Sequence, residues 1–487
     1  MINTNIDGKV RNSTKWTMLT EFLSKIISPI TGMLLARLLT PEAFGIMASI
    51  MVVTSFAEIF ADAGFQKYFI QHEFYDEDEK RKCFNAALWT SCIISGFIWL
   101  IIALFSYQIA ELLGTSEVSE GIKVAGLGLV LNSYNGMQSA LFKRSFQFKL
   151  LFKLRMILSI VPLVITIPMA FFGAGFWALI FGMLAQQSVT CIVQAYYTDL
   201  KIELKIDFII LKKMLSFSLW TLLESITIWF STYGGMFFIG VLLSNYYLGI
   251  YRGIMSIWGA IFGVITAAIM PVLFVALSRL QNDLYNYKRI FYDMQRKISL
   301  FLFPLGGLLF IFPDLAVEIL LGEQWHEGDF LFGAWSLTSS FSILINSMAS
   351  EALRAKGMPR LSAFSQMFHF PVLWLALWYG AKIGFDAVVL GMCASSLWLD
   401  VVKIIMLRQA LGFSLRRIID NIFNGAVPVG IAGALAWHLR QVWEVYGIFA
   451  IVSVMIIFLV CYLLLILIRH DNRQLLMEGM VFLQRKL

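Results

Sequence analysis

Residues 16 to 71 read WTMLTEFLSKIISPITGMLLARLLTPEAFGIMASIMVVTSFAEIFADAGFQKYFIQ, and this stretch decides the fold. Two apolar runs flank the connection Ala36 to Gly45; the first carries Glu21, Lys25 and Pro29, the second Glu58 and Asp62. Each run is long enough to cross a hydrocarbon layer of about 30 Å as a helix, at about 1.5 Å per residue. Ionisable groups inside such runs are costly, so they mark a functional site within a membrane.

Working outward, the same pattern fills the chain. It has 487 residues, 59% of them hydrophobic and only 14% charged, with a mean hydropathy of +0.77. That composition identifies an integral membrane protein and leaves no room for a soluble domain of ordinary size. The opening residues are polar, with Asp7, Lys9, Arg11 and Lys15, and no small-residue cleavage pattern follows, so the first helix is expected to be retained. Cys83, Cys92, Cys191, Cys393 and Cys461 show no CxxC spacing, which supports neither a disulfide framework nor a zinc site. No nucleotide-binding GxxxxGK[ST] or metalloprotease HExxH occurs, so neither an ATP-driven pump nor an enzyme is expected, and no cofactor.

The expectation is an all-α protein of about fourteen transmembrane helices, because barrel strands would alternate apolar and polar residues and these runs do not. The helices are predicted over 14–36, 43–65, 84–107, 120–142, 154–173, 175–197, 214–242, 247–277, 297–321, 330–353, 361–381, 385–410, 419–440 and 446–468. With the N-terminus in the cytoplasm, Lys80-Arg81-Lys82, Lys143-Arg144, Lys212-Lys213, Arg296-Lys297 and Arg416-Arg417 share one side, whereas opposite connections such as Glu111 to Glu120 and Glu323 to Asp329 are acidic. The positive-inside rule then places both termini in the cytoplasm. The formal charge of +7 expresses this topology, its basic residues being scattered over short loops, and not nucleic-acid binding.

A shift of 204 residues, position 38 onto 242, aligns Leu38-Leu39-Thr40 with Leu242-Leu243-Ser244 and Phe44-Gly45-Ile46 with Leu248-Gly249-Ile250. An even number of spans separates the copies, which is the mark of a parallel repeat about an axis along the membrane normal. Two six-helix lobes, 1–205 and 206–410, are therefore expected around a central cavity, with 411–487 forming two further helices and a cytoplasmic tail.

The connection Ala36-Arg37-Leu38-Leu39-Thr40-Pro41-Glu42-Ala43-Phe44-Gly45, followed by Phe56 to Phe65 and Ile70-Gln71, resembles the polysaccharide-transporter branch of the multidrug, oligosaccharidyl-lipid and polysaccharide exporter superfamily, within it the Wzx-type (WzxC-like) flippases. The resemblance implies alternating-access transfer of an undecaprenyl-pyrophosphate-linked oligosaccharide from the cytoplasmic to the periplasmic leaflet of a bacterial inner membrane. It also implies membrane lipids as surroundings, and a glycan polymerase and glycosyltransferases as possible partners.

Lys25 lies near the midplane, where it either faces the cavity and attracts a pyrophosphate or pairs with Glu21 one turn earlier. Arg252 is the second candidate anion ligand, its alternative being to snorkel toward the nearer boundary. Glu58 and Asp62 share a face of their helix and are candidate cavity or coupling carboxylates, as is Glu224; the alternative for each is a structural ion pair, with Lys67 for Asp62. Pro29 and Gly32 form a candidate hinge. Asp400 and Lys403, three apart, are expected to form a local ion pair, His369 a hydrogen bond between helices, and Trp177, Trp325 and Tyr246-Tyr247 an interfacial belt. An ion-coupled drug or metabolite exporter, and a non-transporting scaffold for glycan assembly, are the rival readings.

Overall fold

The computed structural model describes residues 16, 20, 23–24, 27–62, 64–113, 118–198, 200–204, 207–443 and 448–468, and among them every regular element is helical. Hydrocarbon offers no partner for backbone N–H and C=O groups, so the apolar runs satisfy them internally. Ten helices among the described residues have the length and apolarity to cross a bilayer, against about fourteen expected from sequence, and two shorter apolar stretches, Ile27–Leu38 and Tyr233–Leu242, accompany them. The chain divides into two compact units, Met1–Ala260 and Ile261–Leu487.

The first unit contains α1 (Ile27–Leu38), α2 (Pro41–Asp62), α3 (Phe65–Gln71), α4 (Glu77–Leu104), α5 (Ser106–Leu112), α6 (Val118–Gly126) and α7 (Gly128–Arg144). There follow α8 (Phe148–Val161), a π turn at Pro162–Thr166, α9 (Ile167–Phe171), α10 (Phe176–Tyr197), α11 (Phe208–Leu242) and the first part of α12 (Asn245–Arg279). Local chemistry sets the helix starts. Asp76 accepts from the Glu79 N–H at 2.7 Å while the Glu79 carboxylate accepts from the Tyr75 N–H at 2.8 Å, a reciprocal cap for α4. Asp207 opens α11 by accepting from Ile209 and Ile210 N–H.

Where α2 crosses α12, two glycines make the contact. A Cβ on Gly45 would fall 1.6 Å from the Asn245 carbonyl oxygen, and one on Gly249 would fall 1.7 Å from that of Pro41. Only glycine permits this approach. The 204-residue shift aligns 41 with 245 and 45 with 249, and the contacts run crosswise, 45 to 245 and 249 to 41, so each helix presents the same pair of positions to the other. Ser49 Oγ donates to Asn245 Oδ1 at 2.7 Å and fastens the crossing.

The second unit holds the rest of α12, α13 (Leu284–Ile311), α14 (Pro313–Leu320), a 3-10 turn at Glu323–Gly328, α15 (Asp329–Ser342), a π turn at Ile343–Ser347 and α16 (Met348–Ala355). Completing it are α17 (Pro359–Ala381), α18 (Phe385–Leu411), α19 (Leu415–Trp443) and α20 (Ile448–Ile468). The expected helix 297–321 is broken, because Phe312 adopts φ −121° and ψ 51° ahead of Pro313. α13 starts on Asp283, which accepts from the Asn286 N–H; the Asn286 side chain, also bonded to it, holds this carboxyl below its ordinary value.

Three expectations are corrected here. Trp325 is fully buried, not interfacial, because its turn folds into the second unit. Asp400 and Lys403 form no ion pair: Asp400 Oδ2 accepts from Ser342 Oγ at 3.0 Å, while Lys403 Nζ donates to Ser350 and Ser362 Oγ at 2.9 and 2.7 Å. Neighbouring helices thus supply hydroxyls that reach each group separately. His369 makes no hydrogen bond through Nε2, which is buried without a partner among the described residues.

Candidate functional site

Polar side chains at helical spacing converge on one cavity inside the first unit. α2 contributes Ser55, Glu58 and Asp62; α7 contributes Asn132, Asn135, Gly136, Ser139 and Lys143; α11 contributes Ser225, Trp229 and Tyr233; and α3 adds Gln66. Intervals of three and four residues put each set on one helix face, and together they enclose about 560 Å³.

The wall is held by hydrogen bonds. Asn132 Nδ2 donates to Glu58 Oε1 at 2.5 Å, so the partner of Glu58 is a neutral amide and not the cation that a structural pair would need. Trp229 Nε1 donates to Ser55 Oγ at 2.9 Å, and its ring stacks on Tyr233 with centroids 5.9 Å apart and planes 23° apart. Asn135 Nδ2 donates to the Gln187 carbonyl at 2.9 Å. Gly136 leaves room for the Gln66 amide, which an added Cβ would meet at 2.4 Å from Nε2 and push aside. Asp62 lies beside Gln66 and Lys67, yet its Oδ1 is buried with no hydrogen-bond partner among the described residues. That oxygen is an unmet acceptor, which a bound hydroxyl, a proton or a cation would satisfy.

Of the residues singled out by sequence, Glu58 and Asp62 share this cavity. Arg252 is half-buried on α12 with Tyr233 as electrostatic neighbour, which puts it next to the cavity's aromatic wall. Pro29 lies within α1, and Gly32 faces α12, where its added Cβ would meet Ser256 Oγ at 3.2 Å, one helical turn from Arg252. Glu21 and Lys25 lie outside the described residues, although Ser24 beside them accepts from Arg155 Nε at 3.2 Å. Glu224 precedes the lining residue Ser225 on α11, and its side chain is outside the described ones.

Sequence reasoning missed the α7 stripe. Its signal was available as Asn132, Asn135, Ser139 and Lys143 at near-helical intervals in an apolar run, but attention to ionisable groups alone passes over neutral amides. Chemically, the cavity offers carboxylate and amide acceptors, amide donors and a stacked pair of aromatic rings, with Lys143 exposed at one end. This set suits a neutral, hydroxyl-rich ligand with an apolar face better than an anion alone.

The sequence profile of the family described as "Polysaccharide biosynthesis protein" matches residues 34–328. An "Uncharacterized membrane protein in cps region" of Klebsiella pneumoniae is 24% identical over 77% of this chain and 79% of its own length. The "Succinoglycan biosynthesis transport protein ExoT" of Rhizobium meliloti is 23% identical over 65% and 63%, and the "Lipopolysaccharide biosynthesis protein WzxC" of Escherichia coli 19% identical over 66% and 64%. Among solved structures, a lipid II flippase MurJ in its inward closed conformation superimposes with a TM-score of 0.75 at 14% identity, covering 94% of this chain and 99% of its own. An inward-facing multidrug resistance MATE transporter follows with a TM-score of 0.52 at 14% identity, covering 80% and 94%. These two likenesses establish the fold.

Proposed function

Because the chain belongs to the polysaccharide biosynthesis protein family, a family shown by a match over residues 34–328, we propose that it moves undecaprenyl-pyrophosphate-linked oligosaccharides across a bacterial inner membrane, from the cytoplasmic to the periplasmic leaflet. It is a multi-pass membrane protein of the flippase and transporter class and not an enzyme. The observation that supports the finer reading is the polar, carboxylate-bearing cavity of about 560 Å³ lined by α2, itself long and apolar enough to cross a bilayer, together with α7, α11 and the short α3. Sugars cross in contact with Glu58, Asn132, Gln66 and the Trp229–Tyr233 pair. The pyrophosphate is met by Lys143 at the cavity's end, by Arg252 and by Lys25, while the polyprenyl tail stays in lipid. Alternating access is driven by rocking of two six-helix lobes about the proposed repeat axis. Pro29 and Gly32 supply the bend in the first helix, Glu21 and Glu224 join the cavity carboxylates, and polymerase and glycosyltransferases receive and supply the glycan.

Proteoliposomes loaded with a labelled lipid-linked oligosaccharide test this. The native protein equilibrates the label between leaflets, and Glu58→Gln slows transfer at least about tenfold, the loss of about 1.4 kcal/mol of substrate interaction. Full transfer by folded Glu58→Gln removes the cavity from the pathway. The unmatched Oδ1 of Asp62 favours a second reading, ion-coupled export of a small molecule. That reading gains ground if Asp62→Asn abolishes drug resistance in cells and leaves glycan export intact.

A further inference from the structure

A groove in the second unit uses none of the residues that line the cavity of the first unit. Its mouth, about 500 Å³, is lined by apolar groups such as Pro313, Phe330 and Ala334 and carries Asp314, Asp329, Arg440 and Gln441 as its polar groups. An apolar cavity of about 350 Å³, lined by Phe303, Gly307, Phe341, Val429 and Gly430, shares Phe310, Ile311 and Trp437 with that mouth, so the two run together. The mouth lies where α13 ends and α15 begins; the apolar part lies along the interiors of α13, α15 and α19. Along α19, Arg440 and Ala426 are fourteen residues apart, about 21 Å at about 1.5 Å per residue, and one leaflet holds about 15 Å of hydrocarbon. Trp437 sits at the junction of polar and apolar parts, half exposed at 51%, as an interfacial anchor does.

The charges at the mouth select the occupant. Arg440 donates to Asp314 Oδ2 at 2.5 Å and to the Ile311 carbonyl, leaving part of its fork of five N–H donors available. Asp329 Oδ2 meets His326 Nδ1 at 2.9 Å. The second oxygens of both carboxylates, Asp314 Oδ1 and Asp329 Oδ1, have no hydrogen-bond partner among the described residues. Asp314 is paired with Arg440 and Asp329 with His326, yet each carboxylate keeps one oxygen without a hydrogen bond, while the guanidinium can still take an anionic oxygen. A ligand that carries both a phosphate and an ammonium answers both conditions. A pyrophosphate-linked lipid or a purely anionic phospholipid answers one and is opposed by the two carboxylates.

We propose that this groove is a binding site for a zwitterionic, ammonium-bearing glycerophospholipid such as phosphatidylethanolamine, its phosphate on Arg440, its ammonium on Asp314 and Asp329, and one acyl chain in the apolar cavity behind Trp437. A lipid held there is an accessory ligand, separate from the glycan substrate.

The full-length protein is reconstituted in nanodiscs containing equal amounts of phosphatidylethanolamine and phosphatidylglycerol with matched acyl chains, and the lipids it retains on transfer to detergent are weighed by native mass spectrometry. The native protein is expected to retain phosphatidylethanolamine about fivefold over phosphatidylglycerol, the scale of one partly exposed ion pair. Asp329→Asn, which is isosteric, abolishes the preference. Gly430→Leu, at a position where an added Cβ meets nothing within 4 Å, fills the apolar cavity and loses both lipids. Equal retention by the native protein overturns the proposal, as does an undiminished preference in Asp329→Asn or undiminished binding in Gly430→Leu. Preferential retention of an added polyprenyl phosphate also overturns it and assigns the groove to the substrate lipid. Transfer of labelled oligosaccharide by Asp329→Asn, measured alongside, separates this outcome from any failure of the cavity in the first unit.

Discussion

At the scale of single residues, the sequence exposes carboxylates and hides amides. Glu58 and Asp62 are legible because a carboxylate in an apolar run needs a reason. Asn132 and Gln66 are not, because neutral polar residues occur on helix faces of every kind and only packing tells which face is enclosed. The Asn132 to Glu58 hydrogen bond at 2.5 Å gives a direct check. Asn132→Ala is expected to lower stability by about 1 to 3 kcal/mol, the cost of a half-buried carboxylate deprived of its donor, and to appear as a reduced Tm in detergent. Asn132→Asp should lower it further, since two carboxylates would then face each other. An unchanged Tm in both variants would show that the amide has no structural hold on Glu58.

At the scale of elements, the crossing of α2 and α12 rests on backbone contact. Gly45→Ala and Gly249→Ala each drive a methyl group into a carbonyl oxygen, at 1.6 and 1.7 Å, and neither backbone atom can turn aside. Each substitution is expected to cost about 1 to 3 kcal/mol or more, with the pair falling short of additive because both act on one contact. Gly96→Ala in α4, where a Cβ meets nothing within 4 Å, serves as the control and should be neutral or stabilising by up to about 1 kcal/mol. Thermal unfolding of the purified variants ranks them. The sequence shift of 204 residues singled out these glycines by alignment alone; that they touch each other is a property of the folded chain.

At the scale of the whole molecule, the distribution of Lys and Arg predicts the orientation. Lys201 and Glu327 are both exposed, and the positive-inside rule assigns them to opposite sides. In a background without native cysteines, Lys201→Cys should resist a membrane-impermeant thiol reagent added to intact cells, and Glu327→Cys should react. The reverse pattern would invert the proposed direction of transfer. His326, in the same connection, is held above its ordinary value by its hydrogen bond to Asp329, so protonation of that loop belongs to the compartment this labelling identifies.

The sequence by itself determined the environment and the helical architecture, because length, apolar runs and the expense of bare backbone in lipid leave no other solution. Its pattern of basic loops and its Ala36 to Gly45 connection likewise carried the topology expectation and the family. Tertiary structure alone decided which faces meet. Asp400 and Lys403 sit three apart, in reach of each other, yet hydroxyls from neighbouring helices divide them. Trp325 belongs by type to an interface and by packing to a core. The cavity draws on four helices separated by up to 178 residues, from Ser55 to Tyr233. Helical periodicity tells which residues share a face, but no property of one helix states what that face will be packed against.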